Sequence, residues 1–189
     1  MRVDFSRILN LQLKSSIIAC LLLATTVAWG YIPNLVEVEQ NILRGGRPVG
    51  SDFALLEQKG IRTIISLEIA STVAKERRDA EALGMRFISI PMSVYQAPTN
   101  QEMNQILHHL NDSSLYPLFI HCKHGEDRTG LVIGLYRVEN SHWSPQRAYE
   151  EMLKLGFHPK YAPLDNYFKE RTGLGTSLAN NFNFLYENK

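Results

Sequence analysis

The sequence predicts an α/β domain with a mainly parallel central sheet flanked by helices. From Val36 onward, short runs rich in β-branched residues alternate with amphipathic stretches of helical length, a pattern typical of strand–helix–strand units. The chain has 189 residues, which suits a single domain, expected at residues 33–172 and followed by an extension at residues 173–189. Hydrophobic residues make up 44% and charged residues 21%, which excludes a disordered chain and a polytopic membrane protein.

Three segments are predicted to form buried strands, because each is a short run rich in apolar residues. The connections between them are long enough to hold a helix, so the strands are expected to pair in parallel. The predicted strands are Ile61 to Leu67, Arg86 to Ile90 and Leu118 to His121.

Five helices are predicted around these strands, and capping residues mark several of their ends. The first is expected to start at an N-cap at Ser51 or Asp52 and to stop at Gly60. The third pairs Thr99 with Glu102 in a capping box. The predicted helices are Ser51 to Lys59, Thr72 to Leu83, Thr99 to Leu110, Thr129 to about Asn140, and Pro145 to Leu155.

The N-terminal segment, residues 1–32, is expected to export the chain. Basic residues precede an apolar run from Ile17 to Trp29, as in a signal peptide, and small residues place the cleavage site after Ala28. If the run continues uncleaved to Ile32, it forms a marginal membrane anchor. A third alternative is a hydrophobic helix packed on the domain. The domain is therefore expected in a periplasmic or other extracytoplasmic location, free or anchored to the membrane.

Charge and cysteine content narrow the classes of function. Twenty Lys and Arg residues against nineteen Asp and Glu residues give a formal net charge of +1, so no nucleic-acid partner is expected. The charged run at residues 75–79 is mixed in sign and is interpreted as a solvent-facing helix surface. The two cysteines are Cys20 and Cys122. Cleavage of the leader would remove Cys20 and leave Cys122 as a free thiol.

The segment from Leu118 to Gly130 is expected to carry the chemistry. An apolar strand ends at His121, a polar loop follows, and a helix begins near Thr129. Ligands of α/β sheets bind at loops of this kind, at the carboxyl ends of parallel strands. Backbone N–H groups in a tight turn that enters a helix form an anion site, and Gly125 can adopt the positive φ that such a turn needs.

Three side chains of this loop suit nucleophilic chemistry on a tetrahedral dianion. The helix N-terminus and a nearby guanidinium favour the thiolate form of Cys122. Arg128 can turn back and bind two oxygens with its planar fork. Thr129 can donate a hydroxyl hydrogen bond to the sulfur. A metal site formed by His121, Cys122 and His124 is not expected, because adjacent residues rarely converge on one ion.

The order His121-Cys122, five further residues, then Arg128-Thr129 resembles the signature of cysteine-dependent protein tyrosine and dual-specificity phosphatases. A weaker resemblance extends from Leu43 to Arg171. It implies the compact dual-specificity fold, attack by the cysteine on phosphorus, a phosphocysteine intermediate and hydrolysis by water, without a metal or cofactor. It also implies a phosphate-binding loop with His121 supporting it from behind, formed by Lys123, His124, Gly125, Glu126, Asp127 and Arg128.

The general acid is the part of the family pattern that this sequence lacks. Such phosphatases usually draw an aspartate from a loop roughly thirty residues before the cysteine, and residues 90–100 contain no carboxylate. Asp127 is the expected substitute, because the Asp-Arg-Thr order is similar to that of myotubularin-type lipid phosphatases and a carboxyl beside a bound dianion retains its proton more readily. Glu126 is a weaker candidate. The alternative is that Asp127 pairs with Arg128 or caps the helix.

The expected function is hydrolysis of phosphomonoesters, with a protein tyrosine or dual-specificity phosphatase as the first interpretation. Weak acid catalysis favours phosphotyrosine, because phenolate leaves readily. Positive charge from Lys123 and His124 at the rim favours the alternative of an inositol phosphate or phosphoinositide substrate. A third hypothesis is an inactive phosphate-binding module. The expected partner is thus a phosphorylated protein or a small polyanionic phosphate, and the sequence leaves the oligomeric state open.

Overall fold

The computed structural model describes residues 30–69, 71 and 73–175. The leader expected at residues 1–32 lies almost entirely outside the described residues, as does most of the extension expected at residues 173–189. None of the helices in the described part of the chain combines the length and the apolar character of a membrane span. Ile32, the last residue of the expected leader segment, is buried in the core.

One five-stranded sheet forms the centre of the domain. Across the sheet, the first two strands in the chain form an antiparallel hairpin at one edge, and every other pair is parallel. This confirms the predicted mainly parallel sheet; the sequence does not predict the hairpin, whose strands are four residues long and carry charged side chains. The strands are β1 (Val36–Glu39), β2 (Ile42–Gly45), β3 (Thr63–Ser66), β4 (Arg86–Ser89) and β5 (Leu118–His121), in the spatial order β1-β2-β5-β3-β4.

Six α-helices occur among the described residues, and five of them match predicted helices to within two residues at both ends. The capping box of Thr99 and Glu102 is confirmed, and Gly60 ends the first helix with a φ of +76°. The sixth helix is not predicted. The helices are α1 (Asp52–Gln58), α2 (Val73–Ala82), α3 (Asn100–Asn111), α4 (Asp127–Glu139), α5 (Pro145–Lys154) and α6 (Ala162–Thr172).

Helices cover both faces of the sheet. Phe53 of α1 and Ala80 of α2 pack on one face, and Ile106 of α3 and Phe168 of α6 belong to the larger core on the other. Helix α4 lies inside this larger core, and every residue from Thr129 to Arg137 is buried. Each fully buried aliphatic or aromatic side chain contributes about 1.5–3 kcal/mol through the hydrophobic effect. The start of α4 is therefore held firmly at the carboxyl edge of the sheet.

Candidate active site

The candidate site lies where three parallel strands end side by side. In the sheet register, His121 of β5 stands between Gly45 of β2 and Ser66 of β3. Cys122 follows β5 directly, and the turn into α4 is completed by residues 123–126. The cysteine is only 3% exposed, so its thiol lies at the base of the loop. The predicted position of the loop at the carboxyl edge of the sheet is thus confirmed.

Three successive carbonyl groups of the loop point outward, toward β2 and the segments beside it. Each accepts a hydrogen bond from that side: Lys123 O from Arg47 N at 3.2 Å, His124 O from Asn34 Nδ2 at 2.9 Å, and Gly125 O from Arg44 Nη2. In a trans peptide, the C=O and the N–H of the following residue point in opposite directions. The N–H groups of residues 124–126 therefore face the inside of the loop, where an anion can accept from them.

Gly125 allows the loop to lie directly against β2. Its φ is +76°, which confirms the predicted left-handed conformation. A Cβ atom at this position would lie 2.4 Å from the carbonyl carbon of Gly45 and 2.6 Å from the nitrogen of Gly46. Backbone, not a flexible side chain, occupies that space, so only glycine fits without displacing the strand or the loop.

The guanidinium of Arg128 is held in one orientation by acceptors on the neighbouring strand ends. Its Nη1 donates to Leu67 O at 2.9 Å and to Met92 O at 3.3 Å, and its Nη2 donates to Glu68 Oε1 at 2.9 Å. The side chain is only 11% exposed. A guanidinium fixed in this way has lost most of its rotational freedom before any phosphate binds, which lowers the entropic cost of binding.

Glu68 is a site residue that the sequence reasoning misses. Besides Arg128 it contacts Arg47, whose Nη1 lies 3.4 Å from Glu68 Oε2, so one buried carboxylate stands between two guanidinium groups. The available signal was its position, two residues beyond the end of β3, at the same sheet edge as Cys122. Its negative charge did not indicate a site residue, because a carboxylate is not expected beside a phosphate-binding loop.

His121 lies buried at the end of β5, directly before the loop, and its ring is neutral. Its ring is fully buried, stacks on Phe119 and lies 3.6 Å (Nε2) from Glu76 Oε2. Burial lowers its pKa from 6.5 to about 3, with smaller contributions from Arg47 and Arg128 in the same direction. The interpretation of residues 75–79 as a solvent-facing surface is wrong for Glu76, which is buried and accepts from Ser66 Oγ at 3.0 Å.

The other predicted loop residues divide between the base and the rim. Thr129 is fully buried, and its Oγ1 has no hydrogen-bond partner among the described residues. Lys123 and His124 are exposed at the rim. Glu126 is half-buried and accepts from Asn34 Nδ2 at 3.3 Å. Lys123 and His124 thus lie where a ligand at the loop mouth can reach them, whereas the Thr129 hydroxyl lies buried behind the loop.

Asp127 forms a pair with His158, a residue that the sequence analysis does not assign to the site. Its Oδ1 accepts from the backbone N–H of His158 at 2.8 Å and lies 3.0 Å from His158 Nδ1. The carboxylate is thereby tied to the connection between α5 and α6, whereas Arg128 donates to Glu68 and to the carbonyls of Leu67 and Met92. With Glu126, this pair places three donor atoms within 4.8 Å, a group that could hold a metal ion.

The segment of residues 90–100, where relatives usually carry the acid, contacts both sides of the loop mouth. The carbonyl of Met92 accepts from Arg128. Three residues later, Tyr95 packs edge-on against Tyr161 with ring centroids 5.9 Å apart, and Tyr161 packs in the same way against His158. Aromatic rings therefore link this segment to the Asp127–His158 pair.

Known proteins with this sequence pattern and fold are phosphatases. A family model described as "DSP-PTPase phosphatase fused to NAD+ Kinase" matches residues 33–161. Dual specificity protein phosphatase TpbA of Pseudomonas aeruginosa is 29% identical over 125 residues, 66% of this chain and 55% of that protein. Inositol diphosphatase DSP4 of Arabidopsis thaliana is 25% identical over 122 residues, 62% of this chain and 61% of that protein. The chain thus matches little more than half the length of these relatives.

Solved structures agree with the sequence comparison. The crystal structure of P. aeruginosa TpbA superposes with a TM-score of 0.65 at 25% identity and covers 82% of this chain and 97% of that one. The core catalytic domain of the PP-IP phosphatase SIW14 from S. cerevisiae, solved in complex with citrate, shares the fold with a TM-score of 0.64 at 22% identity, over 79% and 95% of the two chains. Because the family model covers most of the chain, including the loop at Cys122, the chain belongs to the DSP-PTPase family of cysteine-dependent protein tyrosine and dual-specificity phosphatases.

Proposed function

We propose that this protein hydrolyses phosphomonoesters through a phosphocysteine intermediate on Cys122. One observation carries the proposal: hydrogen bonds from β2 and its neighbours turn three loop carbonyls outward, which directs consecutive N–H groups inward above the buried thiol. An inward ring of amides at the start of a helix complements a phosphoryl dianion and the charge that develops in its transition state.

The proposed reaction has two displacement steps at phosphorus. In the first, the Cys122 thiolate forms an S–P bond while the bond to the leaving oxygen breaks, and that oxygen takes a proton from Asp127. In the second, water attacks phosphorus and gives a proton to the Asp127 carboxylate, and the S–P bond breaks to release inorganic phosphate and the thiolate. Thr129, with its buried unpartnered hydroxyl, donates to the departing sulfur.

Arg128 is proposed to bind the equatorial phosphoryl oxygens. Its orientation supports this role, because Glu68 and the carbonyl of Leu67 already fix the plane of the guanidinium beside the loop. The two carboxylates near the site then have different tasks. Glu68 lies between Arg47 and Arg128, and its contact with Arg128 Nη2 suits it to orient that guanidinium.

Asp127 is proposed as the acid, with His158 as its partner. Its Oδ1 contacts both the backbone N–H and Nδ1 of His158, which holds the carboxyl group in place while it gives its proton in the first step and regains one from water in the second. The described residues of the 90–100 segment supply carbonyl and aromatic contacts but no carboxylate, which supports a proton source inside the loop.

Phosphotyrosine is the proposed substrate class. A phenolate is a good leaving group and depends little on a strong acid. The rings of Tyr95 and Tyr161 beside the loop mouth offer an aromatic surface, and the relative TpbA bears the name of a dual specificity protein phosphatase. Phosphotyrosine peptides are therefore expected to give a higher kcat/KM than phosphoserine peptides.

An inositol phosphate is the second candidate substrate, on a specific observation. Lys123 and His124 are exposed at the rim, where a second phosphate group of a polyanion can reach them, and a plant relative bears the name inositol diphosphatase. The carboxylates of Glu126 and Asp127 oppose that field. A panel of phosphotyrosine peptides and inositol phosphates, assayed by phosphate release, separates the two substrate classes.

The direct test replaces the nucleophile. Cys122→Ser is expected to abolish hydrolysis of an aryl phosphate and to leave vanadate or phosphate binding and the circular dichroism spectrum intact. Cys20→Ser is the matched control, since it removes the other thiol of the chain and is expected to retain full activity. Residual turnover in Cys122→Ser contradicts the mechanism, and a wild-type protein that binds vanadate but hydrolyses nothing in the panel is a phosphate-binding module instead.

We also propose that residues 1–32 export the domain or anchor it in a membrane. The apolar run behind basic residues supports this location. Ile32 itself packs in the core of the domain, so the exporting part is the sequence before it. Cell fractionation followed by N-terminal sequencing tests the proposal. A chain recovered from the cytoplasm with its first residues intact contradicts it.

A further inference from the structure

We propose that Arg44 is a positioning residue of this reaction, a buried guanidinium beneath the loop that holds the Gly125 carbonyl outward and stabilises the ionised thiol of Cys122. The proposal rests on the proposed role of Cys122 as nucleophile. It assigns a function to a residue that neither the sequence motif nor the loop contains.

The sheet register brings Arg44 beneath the loop. Arg44 of β2 pairs with Ile120 of the parallel strand β5, and neighbouring strands are about 4.8 Å apart. Side chains two residues apart along a strand share a face, and Cys122 packs in the same core cluster as Ile120. The guanidinium therefore lies on the face of the sheet where the thiol lies.

The hydrogen bonding of Arg44 is incomplete in a way that packing alone does not explain. The side chain is 1% exposed, and its Nη2 donates to Gly125 O. Its Nε and Nη1 have no hydrogen-bond partner among the described residues. Unpaired buried donors on a charged group destabilise a fold, whereas an apolar side chain of similar size would fill the same space without that cost. The retention of a guanidinium here points to a use for its charge.

The charge of Arg44 and that of Cys122 act on each other. Burial lowers the pKa of Arg44 from 12.5 to about 10, so the side chain is a cation at neutral pH, and the Cys122 thiolate opposes this shift. The two opposite charges attract each other, and the proposed effect of Arg44 on the thiol is based on this attraction. Glu151 of α5 and Arg137 of α4 also face Arg44, and they act in opposite directions. The remaining charged or titratable groups around the loop fall into two sets. Near its base are Arg128 and Arg47 with Glu68, and the neutral His121. At its rim are Lys123, His124, Glu126, and Asp127 with His158.

The test measures the ionisation of Cys122 in the full chain. Iodoacetamide alkylation of Cys122 is followed against pH by mass spectrometry of its peptide, which separates it from Cys20, alongside kcat/KM for an aryl phosphate. In Arg44→Met, the alkylation midpoint is expected to move upward by about one pH unit, so that alkylation at low pH falls about tenfold. Arg44→Lys keeps the charge and is expected to preserve the midpoint while its weaker hold on Gly125 O raises KM.

Arg171→Met is the matched control, because Arg171 is also an arginine that is only 16% exposed and ion-paired with Glu139 at the last residue of α4, and it is not among the charges that act on Arg44. It is expected to lower stability and leave the alkylation midpoint unchanged. A wild-type midpoint in folded Arg44→Met, or an equal shift in Arg171→Met, overturns the proposal.

Failure of the role of Arg44 can be distinguished from misfolding of the variant and from failure of the proposed function. If Arg44→Met does not fold, Arg44→Gln removes the charge, retains a donor for Gly125 O and carries the same test. If instead the wild-type protein shows no turnover of any phosphate, the proposed function fails. A wild-type enzyme that turns over substrate while the midpoint of the charge-removing variant is unchanged refutes only the role of Arg44.

Discussion

Replacing Gly125 by alanine tests whether the loop must lie directly against β2. The new Cβ would be 2.4 Å from a backbone carbon of Gly45, about 1 Å inside ordinary van der Waals contact at 3.4 Å. The left-handed φ of +76° costs about 1–2 kcal/mol for a residue with a Cβ. Displacement of packed backbone adds about 1–3 kcal/mol. The expected loss of unfolding free energy is therefore about 2–5 kcal/mol.

Gly60→Ala is the control for the cost of placing a residue with a Cβ in the left-handed conformation. Gly60 has the same φ of +76°, and nothing lies within 4 Å of its Cβ position. Urea unfolding is expected to show only the loss of about 1–2 kcal/mol for this variant, with unchanged activity. In Gly125→Ala, a loop displaced by about 1 Å is expected to lower kcat/KM for an aryl phosphate by about 10²-fold. Equal destabilisation of the two variants, or wild-type activity in Gly125→Ala, would refute the reasoning about loop contact.

Three more predictions concern the titratable side chains around the loop, Glu68, His121 and Asp127. Glu68→Ala is expected to lower kcat/KM about tenfold or more, since Arg128 loses a charged hydrogen bond. Glu68→Gln keeps an acceptor and is expected to keep most of the activity. Equal loss of activity in both variants contradicts an orienting role for Glu68. Because the folded pKa of His121 is about 3 against 6.5 for a free histidine, its contribution to stability is present above pH 6.5 and is lost as the pH falls toward 3. In urea unfolding, the unfolding free energy of the wild-type protein is expected to fall with pH by at most about 1.4 kcal/mol per pH unit, and His121→Gln is expected to lack this dependence. His108→Gln, at an exposed helical site, is expected to keep it. A wild-type dependence in His121→Gln contradicts the buried neutral ring. Asp127→Asn is expected to slow the hydrolysis of phosphate esters with poor leaving groups far more than that of p-nitrophenyl phosphate. It is also expected to lose the limb of the pH–rate profile that requires the protonated acid. Equal slowing for good and poor leaving groups argues against an acid role.

The sequence predicts the loop well because its signals are local. A strand, a cysteine at its end, a glycine and an arginine before a helix all lie between Leu118 and Gly130, and each has a conformational preference that does not depend on the rest of the chain. The structure places Cys122 and Arg128 at the carboxyl edge of a parallel sheet, as expected. The helix boundaries follow for the same reason, through caps such as Thr99.

The partners of the loop could not be predicted, because they come from distant parts of the chain. Glu68, Arg44 and Asn34 contact residues 60, 81 and 90 positions away. Strand pairing brings them together, and no local pattern marks Glu68 or Asn34. Glu76 was assigned to solvent from the mixed charge of residues 75–79, but only the fold shows that Glu76 lies on the side of α2 that faces the sheet, where it accepts from Ser66.

The role of Asp127 shows how a correct motif can leave a side chain undetermined. The sequence places the residue next to Arg128 and allows it to pair there, to cap the helix or to act as an acid. In the structure, the connection between α5 and α6 presents His158, and the carboxylate binds its N–H and its ring. That partner depends on how two later helices pack, which is not encoded near the loop.

The central claim is that Cys122 accepts the phosphoryl group, and a trapped intermediate tests it most directly. The protein is mixed with a ³²P-labelled aryl phosphate, quenched with acid within one turnover, digested, and the label is located by peptide mass spectrometry. The account predicts labelled phosphocysteine at Cys122 in wild-type protein and no label in Cys122→Ser. Turnover with no labelled enzyme, or with the label on any residue other than Cys122, would contradict it.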